Sequence, residues 1–422
     1  MEAAAIQQYI YDSGILLELV LIAAILVSLT KPQNLTVLLL GISLLRPNER
    51  FECYIPYPKV VSYILLIYIL TRMSKVREIM TDRIFLPLSA YLLFIVLQSL
   101  LFHREYLFSN IMFMSAGLII YLATALFAYD ETSLKRIGYM IVFSCFVICA
   151  EPLYYHFSQA PESELWKRFH WDNRLQAWGM WANANETAFI ACLGCASVLL
   201  LVLRYRTRQL YMIAAVALPM FAVVVILTGS RAGLFSLFLL LAPFSLRMSN
   251  LAKVFVVLSA LGLLLATQSL APERTDKEAS KQERFDLRYE GVQLFKQNPI
   301  TGIGFLLAAR DVTGQPLHNT YVQAFAETGA IGGMLLVLYL IRVGKNISVF
   351  HRREGGAGIR TAEINVLFGW YLSTVFYLFW GNQLLSVLFF TIMSQIDNRL
   401  KLLQSETQEL LTERNPELPE SV

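Results

Sequence analysis

A chain of 422 residues that is 56% hydrophobic and 16% charged, with a mean hydropathy of +0.53, is too apolar to be a pair of soluble domains. The net charge of +4 is too small to mark a nucleic-acid partner, and none is expected. Of the five cysteines (Cys53, Cys145, Cys149, Cys192 and Cys195), four lie in apolar runs, so neither a disulfide framework nor a metal site is expected. Cys192-x-x-Cys195 has redox-like spacing without the strand–helix setting that such chemistry uses, and reads as small-residue helix packing.

In chain order, apolar runs near 14–29, 84–102, 111–128, 137–150, 187–203, 210–227, 254–270 and 320–341 each approach the ~20 residues a spanning helix needs. Weaker candidates at 33–45, 60–71, 233–246, 364–380 and 384–396 bring the total to twelve or thirteen, depending on whether 14–45 is one span or two. The expected fold is all-α: a polytopic integral membrane protein, a single membrane domain over residues 1–422. Within 14–45, Lys31-Pro32-Gln33-Asn34 either separates two helices or kinks one. The first apolar run lacks a basic leader, carries Glu18 and has no small-residue cleavage site after it, so no cleavable signal peptide is expected.

Lys and Arg concentrate in alternate short loops, which places those loops in the cytoplasm. They are Arg72, Lys75, Arg77 and Arg83; Lys135 and Arg136; Arg204, Arg206 and Arg208; Arg247 and Lys253; and a last group from Arg342 to Arg360. Parity puts 151–186, 228–232 and 271–317 on the opposite side. The segment 46–59 falls there too, although it carries Arg46, Arg50 and Lys59. The tail 398–422 is cytoplasmic by the same count, with Glu and Leu at helical spacing and an end near Pro416.

The outer segments hold the candidate chemistry. Residues 166–186 interleave Trp166, Lys167, Arg168, His170, Trp171, Arg174, Trp178 and Trp181, the pattern of an interfacial aromatic belt or of a sugar-stacking rim. In Thr228-Gly229-Ser230-Arg231-Ala232-Gly233, Arg231 either snorkels or grips a phosphate that the glycines let approach. The loop 271–317 has seven Lys/Arg and seven Asp/Glu, so any anion site in it is local. Between Ser280 and Gln297, Phe285, Tyr289, Val292 and Phe295 repeat every three to four residues, which predicts an amphipathic helix ending before Asn298-Pro299. Arg284 and Arg288 lie one turn apart on it, and Arg288, between Phe285 and Tyr289, is expected to face the protein. After the tight turn Thr301-Gly302-Ile303-Gly304-Phe305, Pro316-Leu317-His318-Asn319-Thr320 re-enters the membrane with a histidine at its rim. His318 is either an ordinary helix cap or a base.

Taken in order, Ser230-Arg231-Ala232-Gly233, then Arg284-Phe285-Asp286-Leu287-Arg288 with Asn298-Pro299-Ile300-Thr301-Gly302-Ile303-Gly304, then His318-Asn319 and Glu327-Thr328-Gly329 with Gly332-Gly333, resemble the O-antigen ligase/polymerase superfamily. These motifs cover about 180–340. The resemblance implies a glycosyltransferase-C-like membrane fold in the bacterial inner membrane, with its active site facing the periplasm. It also implies inverting transfer from an undecaprenyl-diphosphate-linked glycan donor. By resemblance, the loop-helix arginine is Arg288, the membrane-edge arginine Arg231 and the essential histidine His318, followed by Asn319. Arg174, Arg284 and Tyr289 are further substrate-binding candidates.

The chemistry suits these groups. A sugar hydroxyl attacking an anomeric carbon expels a diphosphate, whose growing charge fixed cations stabilise, while a neutral imidazole accepts the proton. No Asp-x-Asp motif is present, so arginines stand where a divalent metal would, and no cofactor is expected. The leading reading is a ligase acting on a lipid A–core acceptor, since the single modest loop 271–317 differs from the two comparable loops of polymerases. A polymerase or a protein O-oligosaccharyltransferase of the same superfamily is the alternative. A lipid or sugar transporter fits less well, because Glu18 and Glu327 are the main charges within the spans.

Overall fold

Lipid cannot satisfy backbone N–H and C=O groups, so an apolar chain must pair them within itself, and helices do this within one segment. The computed structural model describes residues 16–47, 55–161, 163–171, 173–178, 182–245, 277–317, 319–353, 359–377 and 383–414. Helices α1 (Leu16–Ser28) and α2 (Pro32–Leu45) are separate, and Pro32 opens α2 where an N–H would have no helical partner. They are followed by α3 (Tyr57–Leu70), α4 (Met73–Thr81) and α5 (Leu86–Phe102). Helices α4 and α5 meet at 103°, and Val76 is the buried residue of α4, so the Lys75/Arg77 helix lies on the surface of the bundle at a sharp bend before α5.

Next come α6 (Leu107–Phe127) and α7 (Glu131–Ser158), the latter capped by Asp130, which accepts from the Ser133 amide at 3.0 Å. A short α8 (Glu164–Arg168) leads into a hairpin, β1 (His170–Trp171) paired antiparallel with β2 (Arg174–Leu175). Asn183 then caps α9 (Ala184–Tyr205) and Thr207 caps α10 (Arg208–Leu227). The remaining helices are α11 (Arg231–Ser245), α12 (Lys277–Gln297), α13 (Thr320–Arg353), α14 (Ile359–Tyr377) and α15 (Gln383–Arg414).

Among the described residues, five helices are long and apolar enough to cross a membrane: Arg104–Phe127, α7, α9, α10 and Thr320–Phe350. Shorter apolar helices occupy the weaker candidates at 33–45, 60–71 and 233–246, while 254–270 lies outside the described residues. The chain is thus an all-α polytopic membrane protein. Helix α9 is the centre of the bundle, packed on α7, α10, α11 and α14, and 78% of its apolar window is buried against 28% for α10. Among the described residues helix α10 therefore lies at the edge of the bundle.

The expected separate tail helix from Asn398 is instead the continuation of α15. Asn398, Arg399, Leu400 and Leu403 are buried, because α15 carries an ion-pair partner into the bundle. At the Lys/Arg-rich end, Arg204 of α9 reaches Glu131 (3.1 Å), Glu363 (3.7 Å) and Glu406, and Arg399 reaches Glu363 at 3.2 Å. This network joins α7, α9, α14 and α15.

Candidate functional site

The end of the bundle away from this network is organised by a break in α13. Gly329 has φ 62° and ψ −166°, a conformation reserved for glycine, so the helical ladder stops there. The orphaned groups are taken up by the turn 299–304. The amides of Ile303 and Gly304 donate to the carbonyls of Ala326 and Glu327 (3.0 and 2.9 Å), and those of Ala330 and Ile331 donate to Pro299 and Ile300 (2.8 and 3.3 Å). Gln98 of α5 braces both sides, with its Nε2 donating to Thr301 O (2.5 Å) and Glu327 O (2.9 Å). Glu327, fully buried, accepts from Gln323 at 3.0 Å. The chain downstream is anchored to the start of α6. Arg310 donates to Ser109 Oγ (3.0 Å), and Tyr106 donates to Asp311 (3.1 Å).

This turn hangs α12 over the start of α13, though with the face opposite to the one expected. Leu287, Gly291 and Leu294 are buried, whereas Phe285 and Tyr289 are 64% and 60% exposed. The reason is fit. Leu317 and Val322 sit so close to Gly291 that a Cβ there would collide with both, and of the aromatic stripe only Phe295 packs on α13, edge-on to Phe325 at 5.7 Å. Arg288 consequently faces outward beside Phe285 and Tyr289, and half-buried Arg284 lies on the packed side with Leu287 and Gly291. Gln315 ties the far end of the loop to α12 by donating to Glu283 at 2.8 Å.

His318 lies outside the described residues, but both its neighbours are placed. Leu317 is buried in the cluster with Leu294, Ala308 and Ala326. Asn319 is the N-cap of α13, where its Oδ1 accepts from the amides of Tyr321 (3.1 Å) and Val322 (3.0 Å). Asn319 thus serves the helix first, and its Nδ2 amide is what it can offer a substrate.

The remaining arginines meet at the ends of α9, α10 and α11. Arg174 donates from Nε to the Thr228 carbonyl (2.7 Å) and from Nη2 to Asn185 Oδ1 (3.2 Å). Ser230 donates to the same Asn185 oxygen (2.7 Å) and accepts from the Gly233 amide (3.1 Å), capping α11. A turn with Gly229 at φ 57° delivers Arg231 as the exposed first residue of that helix. Arg174 and Arg231, more than fifty positions apart in the chain, are therefore joined through Thr228 and Asn185. The sequence singled out Arg174 but not Asn185, whose local signal is its place two residues after Asn183, the cap of α9.

The two halves share one neighbour. Helix α14 packs along α11 and α13, and Tyr321 donates to the carbonyl of Val375 at the end of α14 (2.8 Å). Among the described residues no group of three His, Cys, Asp or Glu is placed to hold a metal.

Residues 175–337 match the family model described as O-Antigen ligase. This stretch belongs to the O-antigen ligase/polymerase superfamily. The superfamily stretch takes in Arg231, Arg284, Arg288, Tyr289, His318 and Asn319 and begins one residue after Arg174. No curated protein matches the chain. Members of the superfamily are glycosyltransferase-like ligases and polymerases, which makes a transferase role in a membrane the general assignment.

Proposed function

We propose that the protein is an inverting, metal-independent O-antigen ligase. It transfers glycan from undecaprenyl diphosphate to a lipid A–core acceptor at the periplasmic face of the bacterial inner membrane. The observation that supports the reading is that, within the stretch matched to the family, the helix opened by the Arg174–Asn185–Ser230–Arg231 turn and the helix opened by Asn319 both pack along α14.

In this reading Arg231 and Arg288, both exposed, bind the donor diphosphate with planar forks and stabilise its charge as the anomeric C–O bond breaks. His318 accepts the proton of the attacking acceptor hydroxyl. Arg174 holds the 228–231 turn that presents Arg231, and Tyr289 offers an exposed ring beside Arg288. Incubation of the purified protein with lipid-linked glycan and either lipid A–core or a second lipid-linked unit tests the assignment. Growth of lipid A–core supports the ligase. Growth of the lipid-linked unit alone makes it a polymerase, and transfer only to a protein acceptor makes it an oligosaccharyltransferase.

A further inference from the structure

Outside the stretch 175–337, the chain holds a histidine pair that the proposed chemistry does not use. His156 Nδ1, near the end of α7, lies 2.9 Å from His170 Nε2, and His170 Nδ1 lies 2.6 Å from the Trp166 carbonyl oxygen. A carbonyl only accepts, so His170 Nδ1 carries a proton and, in the neutral ring, Nε2 is an acceptor. The proton joining the two rings therefore sits on His156 Nδ1. What remains is the Nε2 lone pair of His156, which has no hydrogen-bond partner among the described residues. One backbone carbonyl thus sets both tautomers.

The surroundings hold this arrangement. Ser163 caps α8 by accepting from the Trp166 amide (3.1 Å), and the Trp166 carbonyl, at the end of that helix, is turned to His170 four residues on. Burial is the main influence holding the His170 imidazole below the usual histidine range; the Trp166 carbonyl works against it and His156 adds to it. The Trp166 indole lies flat on His170 (centroids 3.6 Å, planes 2° apart) yet stays half-exposed. Tyr155 stacked on Phe169 (5.0 Å, 6°) locks α7 to the hairpin. The nearby charges Glu164 and Lys167 pair with each other at 3.0 Å, and Arg168 is exposed.

We propose that His156 and Trp166 form a carbohydrate subsite, in which a pyranose hydroxyl donates to His156 Nε2 and the sugar packs its C–H face on the indole. A tautomer-fixed acceptor beside an aromatic platform supplies the directional polar group and the apolar surface that a sugar ring presents together. The inference rests on the glycosyl-transfer reading for its biological substrate, and the pyranose belongs to either the donor or the acceptor glycan.

The test uses the full-length protein and separates these sources. The KM of each substrate is measured at saturating levels of the other in wild type, His156→Leu and His156→Gln. The expected result is a KM for one substrate raised about 3- to 10-fold in His156→Leu, the loss of one hydrogen bond. Turnover should stay near wild type, and the Gln variant, which keeps an acceptor oxygen, should recover part of the affinity. The substrate whose KM rises is the one the subsite holds. Falling turnover with both KM values unchanged would make the pair purely structural and overturn the subsite. Should wild type transfer no glycan, the functional reading fails by itself. Saturation-transfer NMR with free methyl glucoside, galactoside and rhamnoside then decides the subsite: signal in wild type that His156→Leu and Trp166→Leu lose supports it, and equal signals overturn it.

Discussion

Gly302 and Gly329 are pressed backbone to backbone where the 299–304 turn fills the break in α13. A Cβ on Gly302 would fall under 3.0 Å from the Glu327 carbonyl and the Gly329 nitrogen, and one on Gly329 under 3.0 Å from the Ile300 carbonyl and the Gly302 nitrogen. Both residues also have positive φ, 73° and 62°. The two glycines therefore explain why the Asn298–Gly304 and Glu327–Gly329 motifs occur together: each supplies the backbone partners the other lacks.

Gly302→Ala and Gly329→Ala should each uncouple α12 and the rim from α13. The left-handed backbone alone costs an alanine roughly 1–2 kcal/mol, and the collision adds to that because backbone cannot step aside. Gly314 is the control, with φ 69° but open space around its Cβ position. Thermal melting in detergent and glycan transfer should both drop strongly for the first two variants, whereas Gly314→Ala should show only the smaller melting loss of its left-handed backbone and little change in transfer. Wild-type behaviour of Gly302→Ala would show that the break is not held as described.

The two arginines of α12 are separated by the face on which they lie. Arg288 is exposed and Arg284 half-buried toward the packed side. A lysine is a point charge that cannot reproduce the planar fork at a diphosphate, so Arg288→Lys should cut transfer by about 10²-fold, as loss of a transition-state donor does. Its melting temperature should stay put, and Arg284→Lys should be mild in transfer. Equal losses in a side-by-side assay would remove Arg288 from the diphosphate site.

How far the sequence could be read turns on this helix. Its existence and its end before Asn298-Pro299 follow from periodicity and proline, but two stripes of three-to-four spacing run along it. Phe285, Tyr289 and Val292 make the more apolar one, and Leu287, Gly291 and Leu294 the one that packs. Hydrophobicity alone favoured the first; the deciding factor is the small Gly291, whose fit against Leu317 and Val322 exists only in three dimensions. The same holds for Gln98, whose role depends on a carbonyl 203 positions away, and for the His156–His170 contact. By contrast, an interruption at Pro32, there either a boundary or a kink, and the order of the superfamily motifs were legible because each rests on local composition. The helical spacing from Asn398 was legible too, but not that this helix is continuous with the preceding span, which depends on Arg399 being buried against Glu363.

That ion-pair network should be a stability element. The Arg204 side chain is 12% exposed and that of Glu363 4%. Arg204→Leu removes one of the two cations on this buried carboxylate, which keeps Arg399 at 3.2 Å, so the loss should fall below the ~3–5 kcal/mol of a fully broken buried pair. Glu363→Leu also strips buried Arg399 of its carboxylate on α14, so the double variant Arg204→Leu with Glu363→Leu should stay below wild type but lose less than the sum of the two single changes. A double-mutant cycle on detergent melting temperatures reads the coupling, and strict additivity of the two changes would mean the pair does not interact.

Metal independence follows from the proposed use of arginines at the diphosphate. Glycan transfer by the purified protein should survive excess EDTA. Activity abolished by the chelator and restored by magnesium would assign the charge stabilisation to a bound cation instead of Arg231 and Arg288.

The role of His318 can be separated from its alternatives by the sign of a pH profile. The capping position of α13 is already filled by Asn319, whose Oδ1 takes the first-turn amides of Tyr321 and Val322, so a cap is not what the neighbouring histidine is needed for. As the base that removes the acceptor proton, the imidazole must be neutral, and transfer should rise with pH through its pKa. As a cation gripping phosphate it must be protonated, and transfer should fall over the same range. His318→Ala should slow the chemical step by about 10²–10⁴-fold with donor binding retained. His318→Asn should be as slow, because an amide cannot take the proton. Full activity in His318→Asn, or a wild-type rate that falls through the histidine range, would end the reading of His318 as the base.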